Sequence, residues 1–308
     1  MENFNLSTGY ELPIVNGFRE RIKPNWKKVF KTFKYDDIPK EKVNKLKHDI
    51  FHAKNLLEKY GFDFYGKKIM DVGCYLGIQC FGAKEMGASE VVGIDIPEYY
   101  VNQSTDKEIN ASQVLEQRRN QIREFHPHLD QSKIKFHDVS VFEMDFENEF
   151  DIIFSWETFE HITNPKQALN KIYKALKPGG ISYNIYNPFF CLTGGHSMCT
   201  LDYPFAHVLM DNNDFKKYTE TIIPPGVPNN YSELCYDFFT KNLNRMTQFD
   251  LKQYIKEENF KLLDFIPIPD INLLQMIDPS LLQSSKSIHP TLTLNDLLCS
   301  YVHFLIQK

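Results

Sequence analysis

Between residues 66 and 187 short apolar runs alternate with helix-patterned ones, and this alternation limits the fold more than any other feature of the chain. "KKIMDV" (67–72), "EVVGIDI" (90–96), "KIKFHDV" (133–139), "FDIIFSW" (150–156) and "ISYNIYN" (181–187) read as strands. Between them lie helical segments: "IQCFGAKEMG", stopped by Gly87; "SQVLEQRRNQIREF"; and "NPKQALNKIYKALKPGG", with Asn164 as cap, Pro165 at its first position and Pro178-Gly179-Gly180 as its stop. An earlier segment, "EKVNKLKHDIFHAKNLLEKYG", repeats its apolar residues at helical spacing and ends at Gly61. Strands that alternate with helices imply a parallel sheet covered on both faces, an α/β doubly wound fold.

Such a sheet binds its ligand at the carboxyl ends of its strands. The sequence sets polar and small residues there. Gly73 and Gly77 sit where the first strand turns into its helix, and Asp95 closes the second strand. A carboxylate at that position accepts hydrogen bonds from both hydroxyls of a ribose. Asp138 ends the third strand, within reach of an adenine amino group, with a turn cap as the plainer role. Ser155, Trp156 and Glu157 end the fourth. A dinucleotide turn carries three glycines, G-x-G-x-x-G, so that a pyrophosphate rests on the helix N-terminus. Here the order is Gly73-Cys74-Tyr75-Leu76-Gly77. Its spacing and the bulk of Tyr75 suit a cofactor with ribose and adenine but no phosphate better than NAD.

In that order, "KKIMDVGCYLG", "VVGIDI", "HDV", "FDIIFSWETFEHI" and "ALKPGG" resemble the motif series of class I S-adenosylmethionine-dependent methyltransferases, over about residues 55–187. The resemblance implies a doubly wound, seven-stranded, mostly parallel sheet of Rossmann-like methyltransferase type with an inserted substrate lid. It also implies S-adenosylmethionine as cofactor. Asp71 and Gly73 would hold its amino-acid end, Asp95 its ribose, and Asp138 and Val139 would flank adenine. Ser155 and Trp156 would line the sulfonium, and Cys74, Tyr75, Gly77 and Ile96 complete the expected lining. Tyr75 departs from the family, which usually has glycine there; the expectation is that it narrows the mouth or stacks near the cofactor.

Beyond Pro188 the pattern breaks into Gly-, Pro- and Asn-rich chain, too long for a simple connection and expected to be a functional insertion. The segments 194–210 and 243–255 resemble, loosely, small-molecule and sugar-modifying members of the superfamily. That favours a hydroxyl-bearing acceptor, a sugar or sugar nucleotide of surface-glycan (capsular polysaccharide) biosynthesis. An alcohol needs a base, and histidine is the usual one. The candidates are His196 and His207 on the insertion, ahead of His161 after the fourth strand, with Glu157 as a carboxylate alternative. Glu157 and Glu160 are candidates to position hydroxyls. Phe189, Phe190, Tyr203 and Phe205 either face a sugar ring or pack the lid. A divalent ion held by His196, Asp202 and His207 is an alternative that no metal-ligand spacing supports, so no metal is assigned. N-methylation, a non-catalytic cofactor-binding scaffold and an NAD oxidoreductase are the competing functions.

"TQFDLKQYIKEENF", capped by Thr247, and the strands "KLLDFIPI" and "CSYVHFLIQ" would close the fold, with a long connection over 269–296. The expected division is an N-terminal helical cap (1–54), a cofactor-binding core (55–187), a substrate insertion or lid (188–246) and a C-terminal helix with closing strands (247–308). A net charge of −5 argues against non-specific nucleic-acid binding. The basic stretch "KPNWKKVFKTFK" (23–34) reads as a solvated helix face. Six cysteines with no CxxC pair suit reduced thiols, and no leader or membrane span is visible, so a cytoplasmic enzyme is expected. An oligomer is left open.

Overall fold

A computed structural model describes residues 3–30, 38–97, 110–277 and 279–308. Two short strands, β1 (Asn3–Asn5) and β2 (Glu11–Pro13), pair antiparallel at the N-terminus. The main sheet holds β3 (Lys68–Val72), β4 (Glu90–Asp95), β5 (Ile134–Asp138), β6 (Phe150–Trp156), β7 (Leu176–Tyr186), β8 (Lys261–Pro269) and β9 (Cys299–Gln307). Its order is β5-β4-β3-β6-β7-β9-β8. Neighbours pair in parallel except β9, which runs antiparallel to β7 and to β8. From β3 the chain builds outward through β4 and β5, then returns to start β6 on the other side of β3. That reversal opens a crevice above the carboxyl ends of β3 and β6. This is the seven-stranded, doubly wound sheet the sequence implied.

The helices are α1 (Phe18–Ile22), α2 (Lys40–Leu46), α3 (His48–Lys59), α4 (Ile78–Glu85), α5 (Ala111–Glu124), α6 (Pro165–Ala175), α7 (Asn212–Thr221), α8 (Tyr231–Lys241), α9 (Gln248–Glu257), α10 (Pro279–Ile288) and α11 (Leu294–Leu298). Their starts follow capping chemistry. The Asn164 side chain accepts from the Gln167 N–H at 3.0 Å, with Pro165 at the first position. Thr247 and Asp250 form a reciprocal capping box on α9. Among the described residues no helix is long and apolar enough to cross a membrane.

Burial divides the core into three. One cluster packs Met70, Val92 and Ile153 against Leu169 and Leu251 on one face of the sheet; another packs Ile69, Val91 and Phe154 against Leu57 and Phe81 on the other. The third joins the N-terminal segment to the insertion. Phe4, Leu12, Trp26 and Phe30 share a core with Phe190, Phe205, Leu209 and Phe239. The N-terminus is therefore not helical throughout: a two-stranded ribbon is anchored on the segment that holds Phe190, Phe205, Leu209 and Phe239. The helix expected over 23–34 is also absent from its described part. Residues 26–30 form a 3-10 turn that buries Trp26 and Phe30; residues 31–34 fall outside the described segments. The connection over 269–296 holds a 3-10 turn (Ile271–Met276), α10 and α11.

Candidate active site

Above the crevice lies a cavity of about 490 Å³, inside the size range of small-molecule sites. Gly73, Tyr75, Asp95, Ile96, Val139 and Trp156 line one end, and Glu157, His161, His196 and Asn242 the other. A more open groove shares Val139 with it and carries Asp138.

The turn after β3 is shaped by close approach. Gly73 and Gly77 have φ of 77° and 72°, the left-handed region that favours glycine. A Cβ on Gly73 would collide with the Thr158 side chain, and one on Gly77 with the Phe136 ring. Between them Tyr75 also adopts a positive φ, 45°, without being glycine. Its peptide is held from both sides. The Tyr75 N–H donates to Asp95 Oδ2 at 2.5 Å, and the Tyr75 carbonyl accepts from Arg119 Nε at 3.0 Å and Nη2 at 2.8 Å. Asp95 Oδ1 accepts from the Ile96 N–H at 2.7 Å. Arg119 is buried, with its guanidinium 4.4 Å from the Phe136 ring centroid and 3.6 Å from Asp138. The Tyr75 phenol reaches Arg118 at 3.2 Å.

Other expected cofactor residues lie behind this surface. Asp71 is buried within β3. Desolvation pushes its carboxyl up to about 7, with the Cys80 thiol at 3.6 Å pulling the other way and Asp95 adding to the rise. Cys74 and Ser155 are buried as well and do not line the cavity. Asp138 is half exposed in the neighbouring groove. Trp156 does line the cavity, and no acceptor among the described residues meets its buried indole N–H. A buried donor of this kind, beside glycine-shaped backbone and the Asp95 carboxylate, fits the adenosyl cofactor implied by the sequence.

The far end is built by β6, the 3-10 turn Phe159–His161 and the insertion. Glu157 has a φ of 46°, and its N–H donates to the Ile185 carbonyl at 2.8 Å. His161 Nδ1 lies 2.9 Å from the Asn242 carbonyl, which can only accept. The proton therefore sits on Nδ1, and Nε2 carries the lone pair. Burial pushes this imidazole down to about 4, and the Asn242 carbonyl offsets part of that. His196 shows the opposite tautomer: its Nδ1 accepts the Met198 N–H at 3.3 Å, so its proton sits on Nε2. The two rings are 5.9 Å apart and nearly perpendicular, and His196 stacks on Phe238 at 3.9 Å. Behind them Glu160 is buried. Desolvation pushes it up to about 8, and its Oε1 accepts from the Asn187 N–H at 3.2 Å.

His207 is not brought to this site. It is 1% exposed, its Nε2 bonds the Phe189 carbonyl at 2.9 Å, and it lies outside the cavity wall. Asp202 is engaged by Arg19 at 2.6 Å, and among the described residues no His, Cys, Asp or Glu cluster could hold a metal. Phe189, Phe190 and Phe205 are core residues, each at most 2% exposed. Arg119 and Asn242 have site positions that no sequence motif announced. They act through backbone contacts made only once the chain is folded.

A family model described as a methyltransferase domain matches residues 43–264. The chain is 28% identical over 115 residues to the mitochondrial ubiquinone biosynthesis O-methyltransferase of Dictyostelium discoideum, covering 37% of this chain and 33% of that one. It is also 28% identical over 116 residues to a ubiquinone biosynthesis O-methyltransferase of Bradyrhizobium, covering 38% of each. The match thus spans about a third of these relatives' length. A solved S-adenosylmethionine-dependent methyltransferase from Mesorhizobium loti aligns with 80% of this chain and 93% of its own at a TM-score of 0.46 and 14% identity. With the family model spanning most of the chain and the motif series standing on the crevice, the chain belongs to the methyltransferase-domain family, of class I Rossmann-like fold, and its cofactor is S-adenosylmethionine.

Proposed function

We propose that this protein methylates a hydroxyl oxygen of a small molecule. When bound, S-adenosylmethionine supplies an electrophilic methyl group. The observation that carries the oxygen reading is the His161 tautomer. With its Nδ1 proton held by the Asn242 carbonyl, His161 keeps its Nε2 unprotonated and lines the same cavity as Asp95 and Trp156. A hydroxyl needs such a base to become a competent nucleophile. Gly73, Asp95, Ile96, Val139 and Trp156 hold the adenosyl end, Asp138 and Asp71 support it from the groove and from beneath, and His161 takes the acceptor's proton. Glu157 and the Nε2–H of His196 orient the acceptor.

The acceptor class carried from the sequence is a sugar or sugar nucleotide, methylated in the cytoplasm, where buried unbridged cysteines such as Cys191 and Cys235 persist. A phenol is the second reading. It is favoured by the Phe238–His196 stack at the cavity and by relatives named as ubiquinone biosynthesis O-methyltransferases. The test is titration with S-adenosylhomocysteine, followed by methyl transfer to matched panels of sugar nucleotides and phenols. Turnover that survives intact in His161→Ala would remove the base assignment. Transfer only to amines would remove the oxygen reading.

A further inference from the structure

A carboxyl group stands behind the acceptor end of the cavity without reaching it. Glu160 is 3% exposed and lies outside the cavity wall, whereas its neighbour His161 lines it. The 3-10 turn Phe159–His161 sets the two side chains together, with His161 Nε2 4.0 Å from Glu160 Oε1. The ring is thus addressed at both nitrogens, by the Asn242 carbonyl at Nδ1 and by the carboxyl at Nε2. The carboxyl is itself fixed. Its Oε1 accepts the Asn187 N–H at 3.2 Å, and the Glu160 carbonyl accepts the Asn244 N–H at 3.0 Å. Oε2 is buried and meets no hydrogen-bond partner among the described residues. A buried carboxyl with an unused oxygen destabilises the fold, and an apolar side chain would fill the same space at lower cost.

The chemistry of methyl transfer gives this group a use. An alcohol and a sulfonium cation become an ether, a neutral thioether and a proton. The acceptor's O–H bond breaks and an O–C bond forms, while the C–S bond breaks and leaves its electrons on sulfur. The proton goes to His161 Nε2, which is unprotonated because Nδ1 holds the ring's proton against Asn242, and is later lost to water. The positive charge that entered on sulfur therefore passes to the imidazole. Burial opposes that charge and pushes His161 down to about 4. A carboxylate at ion-pair distance offsets the opposition.

We propose that Glu160 is the positioning residue of His161: its carboxylate faces the imidazole at ion-pair distance and stabilises the imidazolium formed when His161 takes the acceptor's proton. This rests on the hydroxyl-methylation reading and deepens it, since the base becomes a pair of which only one member meets the acceptor.

Only the ionised carboxylate serves. Desolvation, with the Glu157 charge beside it, pushes Glu160 up to about 8, and the Asn187 N–H pulls the other way. Tyr186 at the end of β7 and Tyr301 on β9 are within its electrostatic reach, and His196 stands beyond His161 with ring centroids 5.9 Å apart. Activity should step up as pH rises through about 8, above the limb that His161 sets near 4.

The experiment uses the full chain and has two arms. In the first, without cofactor, the histidine ring signals are followed by nuclear magnetic resonance from about pH 6 to 10, with His161 assigned by its absence in His161→Ala. The His161 signal should shift as Glu160 ionises, and the shift should vanish in Glu160→Gln. In the second, methyl transfer is measured with UDP-glucose and with 3,4-dihydroxybenzoate as hydroxyl probes. Glu160→Gln should lower kcat by about tenfold or more and remove the step near 8, with acceptor KM and S-adenosylhomocysteine affinity held within a few-fold. Glu160→Asp keeps a carboxylate and should retain part of the rate. A purely structural role would lower stability instead and leave the pH profile of the folded enzyme unchanged. A His161 signal that stays flat in the parent, or a glutamine variant with the parent's kcat and pH profile, overturns the proposal. The first arm decides alone if the glutamine variant does not fold. It also decides alone if neither probe is methylated, an outcome that counts against the O-methyl reading and not against the pair.

Discussion

Arg119 grips the carbonyl of Tyr75 with two N–H donors, at 3.0 and 2.8 Å. On the other side of the same residue, Asp95 accepts the Tyr75 N–H. The two charged partners hold a tyrosine at φ 45°, where a side chain costs about 1–2 kcal/mol. Hydrogen bonds to charged groups contribute about 1.5–3 kcal/mol, enough to outweigh that cost. A turn that usually needs glycine is kept in shape by a buried arginine from the neighbouring helix.

Arg119→Met should therefore lower folding stability by about 2–4 kcal/mol, because the Tyr75 carbonyl loses both donors and Phe136 loses its stacked cation. Urea unfolding reads this directly, and an unchanged midpoint would show that the clamp holds nothing. Tyr75→Gly removes the strain and the phenol together. Its cofactor affinity should stay within about tenfold, or 1.4 kcal/mol, of the parent. Abolished binding would instead make the ring a main cofactor contact.

Asp95→Ala should weaken S-adenosylmethionine binding by about 1–3 kcal/mol, since the ribose hydroxyls lose a charged acceptor. The same change strips the Tyr75 and Ile96 N–H groups of their partner. Asp95→Asn keeps one acceptor oxygen and should fall between the two. Calorimetry on the three proteins orders them, and equal affinities would end the ribose assignment.

The legible part of this protein is what local chemistry decides. Five strands, the Asn164 and Thr247 caps and the left-handed turns at Gly73 and Gly77 follow from neighbouring residues alone. The order of strand ends then carries Asp95, Val139 and Trp156 to one cavity. What stayed hidden depends on partners distant in sequence. Arg119 reads as one more charge on α5 until Tyr75 is brought against it. His207 lies in the same stretch as His196, and only tertiary packing buries one and leaves the other at the cavity. Trp26 sits among lysines yet belongs to the core, because β1, β2 and the insertion supply the apolar wall it needs.

Stability should depend on pH in a way Glu160 helps set. Its folded pKa, about 8, is raised above the ordinary value of about 4.3, so the folded state binds that proton more tightly than the unfolded chain. The contribution is whole below pH ~4.3 and is lost as pH rises through about 8; Asp71 acts in the same sense up to about 7. The histidines oppose it on the acid side. His161 at about 4 and His207 at about 3 lie below the ordinary value, so their contribution is present above pH ~6.5 and is lost as pH falls through those values. Glu160→Gln keeps an acceptor for the Asn187 N–H and removes the buried charge. It should gain stability relative to the parent between pH 5 and pH ~9. Parallel stability profiles for the two proteins across that range would show that Glu160 does not titrate there.

The sharpest prediction separates the three histidines. A general base contributes about 10²–10⁴-fold to rate, so His161→Ala should lower kcat by that factor, about 3–5 kcal/mol of barrier. Cofactor affinity should be nearly unchanged, because the residues assigned to the cofactor stand at the ends of β3, β4, β5 and β6 and His161 is not among them. In the free enzyme His161 titrates at about 4, so the acid limb of kcat/KM should lie well below neutrality. His196→Ala removes a donor and the stack on Phe238. It should raise the acceptor KM more than it lowers kcat. His207→Ala removes the bond to the Phe189 carbonyl and should lower stability, with turnover per folded molecule retained. Kinetics on the three variants, corrected for folded fraction, decide among them. A collapse of kcat in His196→Ala with His161→Ala still active would move the base to the insertion and reverse the assignment of tautomers.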